Sequence, residues 1–450
     1  MPLGLLTDFY QLTMAAGYFQ AAKTHERATF ELFVRKLPHN RNFILAAGLA
    51  QAVEYLLDLR FTSEEIGYLQ GLPQFQRTPP EFFEMLAALR FTGDLFAVPE
   101  GTPMFAGEPF LTVRAPLVEA QIAETYLLST LGFQSLIATK AARVVKAAMG
   151  REVVEFGTRR AHSPEAGVLA GRAAYIGGCA GTSNAEAGLR FGLPVFGTAS
   201  HAWVMSFATE REAFEQLQTL LGENAVYLID TYDTLEGAKR AAALGRPLWG
   251  VRLDSGNLVE LVPAVRGILD RAGLREAKIM ATGDLNEYKI QELVAAGSPI
   301  DVFGVGTELA TSADAPALGV VYKMVEMESP ERRYTLKLSD DKATLPGAKQ
   351  VFRFADHDLL ARTSECPACP GAGDDAGGDL GVGALLQPVI IQGRLLEPLP
   401  SAADVRRHAA ECLSKLPTPC HSLFESHAWR VEVSSELEAL HERVRRGAAQ

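Results

Sequence analysis

Five short stretches of this chain combine charged side chains with glycine in a way that suits phosphate and ribose chemistry. Arg252, Asp254, Ser255 and Gly256 close one apolar run, and Asp230 and Asp233 close the run before it. Carboxylates at neighbouring strand ends suit ribose hydroxyls or a Mg²⁺ ion. They equally suit the N-caps of the helices that follow. Gly304-Val305-Gly306-Thr307 ends another run, where a Gly-rich turn exposes backbone N–H groups to a phosphate. Arg159 and Arg160 bring two guanidiniums to one strand end, either for an anionic substrate or for a surface ion pair. His201 stands in GTASH. A lone histidine is often structural, but a neutral imidazole beside a phosphate site is a nucleophile toward a phosphoryl group.

Several common alternatives are absent. The sequence contains no G-x-x-x-x-G-K-[ST] phosphate loop, no G-x-G-x-x-G after a strand, no H-E-x-x-H and no G-x-S-x-G. The 450 residues carry a net charge of −11, which argues against general nucleic-acid or membrane binding. A pocket still sets its own local field, so anionic substrates remain allowed. No segment reads as a membrane span. The stretch Phe43 to Leu57 carries Gln51 and Glu54 and suits a buried helix. The N-terminus lacks a basic region followed by a long apolar run, so no signal peptide is expected. Five cysteines in this length are no disulfide framework, and a cytoplasmic location is expected.

The elements that must position these residues change rhythm twice. Up to about Leu131 the text reads as a small α+β domain. It has a helix over Leu6–Phe19 capped by Thr7 or Asp8, a strand over Ala28–Val34 and a helix over Glu81–Leu89. Short strands follow over Asp94–Val98, Pro103–Ala106 and Phe110–Arg114. From Gly132 to about Glu326, short apolar strands alternate with helical text. The expected strands are Val153–Phe156, Tyr175–Gly177, Val195–Thr198, Val226–Asp230, Trp249–Asp254, Ile279–Thr282, Val302–Val305 and Val320–Val325. Eight such units suggest a (β/α)₈-type barrel, although a doubly wound sheet has the same period. Polar or Gly-rich text follows most of these strands, and in a parallel barrel those ends build the active site. Residues 327–450 return to strands at Tyr334–Leu338, Val351–Phe354 and Pro388–Ile391, with helices over Ala403–Leu416 and Ser435–Arg446. A Gly/Asp-rich stretch, Gly371 to Gly383, reads as a mobile low-complexity loop. This tail is expected to pack back on the N-terminal sheet.

Taken together and in order, LLTDFYQLTMAAGYF, FELFVRKLP, EFGTRRAHSPEAG, GTSNAEAGLRFGLPVFGTASHAWVMSF, TYDTLEGAKRA, VRLDSGNL, TGDLNEYKI and DVFGVGTELATSADAPALGVVYKMVE resemble nicotinate phosphoribosyltransferase over about Leu5 to Glu326. The resemblance implies an irregular TIM-like (β/α) barrel with an α+β sheet domain built from the N- and C-terminal parts. It implies condensation of nicotinate with phosphoribosyl pyrophosphate to give nicotinate mononucleotide and pyrophosphate, with Mg²⁺. ATP is a cosubstrate whose hydrolysis is coupled through a phosphohistidine, and the enzyme is a homodimer with shared sites.

Carried over motif by motif, His201 falls on the phosphorylated histidine, Thr198 on a nicotinate contact and Arg252 near the nicotinate carboxylate. Tyr10, from the partner subunit, and Phe156 fall on the two rings that sandwich the pyridine. Arg159 falls near the pyrophosphate or ribose, and Thr307 with Gly304 and Gly306 on the turn that holds the 5′-phosphate. Asp254 and Asp284 fall near the ribose or Mg²⁺; Asp230, a substrate-binding candidate from its strand-end position alone, is not among the carried-over residues. Without the resemblance, Tyr10 and Phe156 would read as core packing.

The closest rival is nicotinamide phosphoribosyltransferase. Related nicotinamide enzymes carry an Asp in the G-T-x loop, where this sequence has Ser183. A carboxylate there would repel nicotinate, whereas a hydroxyl can donate to it. Quinolinate phosphoribosyltransferase is a second rival whose motifs match less well, and a non-catalytic nucleotide-binding homologue a third reading. In the tail, Cys366-Pro-Ala-Cys369 with Cys412 and Cys420 could hold a structural Zn²⁺ tetrahedrally, or be unrelated thiols. Cys179 reads as a small buried residue.

Overall fold

A computed structural model describes residues 3–328, 331–338, 343–365 and 383–448. The chain forms two compact units, one of residues 1–135, 317–400 and 411–450, the other of residues 136–316 and 401–410. Among the described residues, no helix is long and apolar enough to cross a membrane.

The first unit is built on a seven-stranded antiparallel sheet in the order Arg332–Tyr334, Val320–Glu328, Arg27–Val34, Pro109–Pro116, Asp94–Ala97, Gln387–Ile391, Arg394–Leu395. The tail strand Gln387–Ile391 thus pairs with the early strand Asp94–Ala97. Val320–Val325, expected as the last barrel strand, instead runs antiparallel to Arg27–Val34. Its Tyr322 ring stacks on Phe30 at 4.9 Å inside this core. A continuous apolar run carries no mark of which sheet it joins. The expected strand Tyr334–Leu338 lies earlier, at Arg332–Tyr334. Within Phe43–Leu57, a short strand Ile44–Leu45 comes first, and the helix Leu49–Asp58 starts only after Gly48 turns the chain at φ +102°. Cys366, Cys369 and most of the Gly371–Gly383 stretch lie outside the described residues.

The second unit holds a sheet of six parallel strands in the order Gly181–Thr182, Glu152–Glu155, Val302–Val305, Lys278–Ala281, Gly250–Leu253, Val226–Leu228. Five expected strands are here. Tyr175–Gly177 is not; it closes the helix Pro164–Ile176. Ser163 caps that helix by accepting from Ala166 N–H, Pro164 pre-sets its first turn, and its alanines favour the helix. The next strand is Gly181–Thr182, two residues inside what read as a loop. Val195–Thr198 contributes only a single bridge, Val195 to Thr182. Residues 401–410 also belong to this unit. Ala402 packs with Val168 and Tyr175, and Arg406 lies over the Tyr175 ring at 5.1 Å.

Side-chain caps set where the helices after the strands begin. Asn184, Asp233 and Asn286 accept from backbone N–H groups of the helices Ala185–Phe191, Thr234–Leu244 and Glu287–Ala295. Asp233 is therefore a cap, the plainer of its two readings.

Candidate active site

Arg252 is the hub of the strand ends in the second unit. Its side chain is 11% exposed, and each of its three guanidinium nitrogens has a partner. Nη2 donates to Asp254 Oδ1 at 2.6 Å, Nε to Thr282 Oγ1 at 2.9 Å and Nη1 to Thr198 Oγ1 at 2.9 Å. Its guanidinium lies 5.7 Å from the centroid of the Phe156 ring, within cation–π range. Thr282 accepts from Arg252 and donates its own hydroxyl to Asp254 Oδ1 in a very short hydrogen bond.

Asp254 is accordingly an ionised carboxylate. Burial pushes it up, but the Thr282 hydroxyl, the Arg252 guanidinium and the nearby His201 together hold it below its ordinary value. Its other oxygen, Oδ2, is 3.9 Å from His201 Nε2. His201 opens the five-residue helix His201–Met205, is 41% exposed, and sets Nδ1 3.2 Å from Thr231 Oγ1. Asp230 Oδ2 accepts from Asp254 N–H at 2.9 Å and from Ser255 Oγ–H at 2.6 Å. The other Asp230 oxygen is buried with no hydrogen-bond partner among the described residues.

Glycines let these strand ends close up. A Cβ on Gly304 would sit 2.5 Å from Thr282 Cγ2 and 2.8 Å from Phe156 Cδ2, so Gly304 gives the ring its place inside the sheet. Gly283, at φ +90°, passes so close to Asp254 that a Cβ would overlap the Asp254 carbonyl oxygen. Asp284 follows it at φ +48° and is exposed. Gly306 precedes the four-residue helix Thr307–Ala310, with Thr307 exposed at its start.

Arg159 and Arg160 lie in the turn Thr158–Arg160, both exposed and without an ion pair among the described residues. Ser183 is half-buried, its hydroxyl 3.4 Å from that of Thr158. Thus Phe156, Thr198, His201, Asp230, Arg252, Asp254, Gly304 and Thr282 form one contact network. Asp284, Gly306 and Thr307 stand on the adjoining turns. Tyr10 belongs to the first unit, on the helix Phe9–Gln20, and is 49% exposed. Cys412 and Cys420 are in the first unit as well, where burial pushes both thiols up. No group of three or more metal-ligating side chains occurs among the described residues.

Three residues in this network escape a reading of motifs. Thr282 and Thr231 partner Arg252, Asp254 and His201. Glu155 is fully buried below Phe156, accepting from Thr182 Oγ1 at 2.6 Å and, in a very short bond, from Gly157 N–H. Their only sequence signal is adjacency, since Glu155 precedes Phe156, Thr282 precedes Gly283-Asp284, and Thr231 follows Asp230.

Family models match in three consecutive pieces. The nicotinate phosphoribosyltransferase N-terminal domain matches residues 5–132, the quinolinate phosphoribosyl transferase C-terminal domain residues 137–316, and the nicotinate phosphoribosyltransferase C-terminal domain residues 379–441. A nicotinate phosphoribosyltransferase of Mycobacterium tuberculosis is 42% identical over 96% of this chain and 92% of its own. One of Bacillus subtilis is 44% identical over 78% of this chain and 73% of its own. The crystal structure of human nicotinic acid phosphoribosyltransferase superposes with a TM-score of 0.85 at 30% identity, covering 97% of this chain and 99% of that one. The fold is accordingly the TIM-like α/β barrel with a sheet domain found in these proteins.

Proposed function

This chain belongs to the nicotinate phosphoribosyltransferase family, and from that premise we propose that it condenses nicotinate with phosphoribosyl pyrophosphate. The products are nicotinate mononucleotide and pyrophosphate. The observation that carries the reading is the Arg252 guanidinium, held by Thr198, Thr282 and Asp254 beside the Phe156 ring. A pyridine stacked on Phe156 would place its carboxylate where that guanidinium and the Thr198 hydroxyl can receive it. The second ring of the stack is Tyr10 of a partner copy, so the active form is a homodimer. The exposed Leu6, Phe9 and Tyr10 side chains agree with a covered surface there. The reaction is placed in the cytoplasm, in keeping with the sparse cysteines.

Breaking the C1–pyrophosphate bond develops positive charge on the ribose and negative charge on the leaving group. Catalysis is then mostly positioning and electrostatics. The ionised Asp254 supplies negative charge toward the ribose, and Arg159 faces the leaving group. Mg²⁺ fits the donor set. The unpartnered Asp230 Oδ1 and the open Asp254 Oδ2 are hard oxygen donors, and this ion is usually held by one or two carboxylates together with substrate phosphates. Bound there, it would neutralise pyrophosphate charge. Thr307, with the Gly304 and Gly306 turn, receives the 5′-phosphate.

ATP coupling belongs to the same proposal. An imidazole nitrogen of His201 attacks the γ-phosphorus, the bond to ADP breaks, and the ring gives up its proton; water later hydrolyses the phosphohistidine. The phosphoryl group adds a charge of about −1.5 to −2 beside Asp254 and can reorder the surrounding turns. Wild-type protein with ATP should carry an acid-labile phosphate that His201→Ala lacks, while the variant retains slow ATP-independent condensation. Label on another residue, or ATP loss still in step with product in His201→Ala, would remove the phosphohistidine from the scheme.

The barrel's match to a quinolinate domain makes quinolinate the second reading. Nicotinate, nicotinamide and quinolinate offered in parallel with phosphoribosyl pyrophosphate should give nicotinate mononucleotide as the dominant product. Preferential use of either rival would overturn the assignment, and no pyrophosphate release from any would indicate a non-catalytic homologue.

A further inference from the structure

We propose that Lys140 is a positioning residue for the phosphoribosyl substrate, tying together the two turns that carry Asp284 and Thr307. The inference rests on the function proposed above. Lys140 stands on the helix Glu124–Ala147, not at a strand end, and its side chain is only 1% exposed. Its ammonium lies 2.6 Å from Glu287 Oε2, 2.9 Å from Asp314 Oδ1 and 3.8 Å from Glu308 Oε2. Glu287, itself fully buried, takes Arg143 Nε on its other oxygen at 2.9 Å.

The origin of these carboxylates is what matters. Glu287 opens the helix Glu287–Ala295, three residues after Asp284. Glu308 directly follows Thr307, and Asp314 lies in the segment just beyond. One ammonium therefore spans the turns after two neighbouring strands, Lys278–Ala281 and Val302–Val305. A buried ion cluster contributes little net stability compared with apolar side chains of similar volume, and its best-attested use is to fix register. Here the register is that of a ribose-facing turn against a phosphate-facing turn.

The charge balance points the same way. Without Lys140, Glu308 and Asp314 would lose the ammonium beside them, directly behind the turn proposed to receive a phosphate. Like charges there would oppose the substrate. The nicotinate side of the site, around Arg252 and Phe156, makes no contact with this cluster among the described hydrogen bonds and ion pairs.

The test measures affinity for phosphoribosyl pyrophosphate with Mg²⁺ by titration calorimetry, and the KM for nicotinate at saturating cosubstrate. Lys140→Met should weaken phosphoribosyl pyrophosphate binding by about tenfold or more, with the nicotinate KM moving by less than about threefold. Adding Glu308→Gln to Lys140→Met should recover part of the loss in phosphoribosyl pyrophosphate affinity, because it removes the carboxylate next to Thr307 that has lost the ammonium; a merely structural defect would not respond. Should Lys140→Met fail to fold, Lys140→Gln, which keeps a donor without the charge, carries the same expectations. Unchanged binding in the Lys140 variants, no recovery with Glu308→Gln, or an equal loss for nicotinate would each overturn the inference. If the wild-type chain binds no phosphoribosyl pyrophosphate, the proposed function falls with it. If the wild type binds and the Lys140 variants bind equally well, only the role of Lys140 falls.

Discussion

Arg252 and Asp254 face each other across 2.6 Å although they are only two residues apart. That spacing puts both side chains on one face of a strand end, and Thr282 from the next strand closes the pair by bonding to both. A cation that would otherwise be a flexible arm is thereby fixed in one orientation.

The first prediction follows from that orientation. Arg252→Lys keeps the charge but cannot reach Thr198, Thr282 and Asp254 together. We expect the KM for nicotinate to rise by about tenfold or more, equivalent to about 1.4 kcal/mol, because an ammonium lacks the planar fork. Steady-state kinetics with nicotinate varied will check this, and an unchanged KM would mean that Arg252 does not meet the ring substituent.

Gly304→Ala tests the place of the ring. The new methyl would press on Thr282 and Phe156 from within the sheet. It should displace Phe156 and cost about 1–3 kcal/mol of stability through overpacking. The nicotinate KM should rise, as thermal unfolding and kinetics with nicotinate varied will show; an unchanged KM would mean that Phe156 does not hold the pyridine.

Ser183→Asp addresses specificity. A second carboxylate near that of nicotinate, in a half-buried site, should cut activity with nicotinate several-fold more than activity with nicotinamide. Equal losses on the two substrates would place Ser183 away from the ring substituent.

The depressed pKa of Asp254 yields a pH dependence with a defined sign. A carboxylate lowered in the folded state contributes stability that is fully present above its ordinary value of 3.8 and is lost as pH falls through the lowered folded value. Asp254→Asn should therefore destabilise the protein at neutral pH, and the gap from wild type should narrow only in strong acid. Denaturant unfolding of both proteins from pH 7 downward is the measurement; a gap that widens toward acid would contradict the ionised assignment.

Much of this molecule could be read from its residues in order, because the relevant signals are local. Strand ends such as Arg252-Leu253-Asp254 and Gly304-Val305-Gly306-Thr307 alternate apolar and polar residues over a few positions, and caps such as Asp233 bond only three residues ahead. Contacts distant in sequence were decided by tertiary structure. Val320–Glu328 joined the first unit's sheet because Arg27–Val34 offered it an edge, and the run AYI at Tyr175 stayed helical because its neighbours were small and its helix already capped. Gly181–Thr182 became a strand only through parallel pairing with Glu152–Glu155. Thr282, Glu155 and Lys140 sit in ordinary-looking text. Their importance comes from what lies within 3 Å of them in space, from residues about 30 to 174 positions away. A linear chain specifies such meetings without displaying them, since burial and hydrogen-bond partners are properties of the packed sheet and not of any one segment.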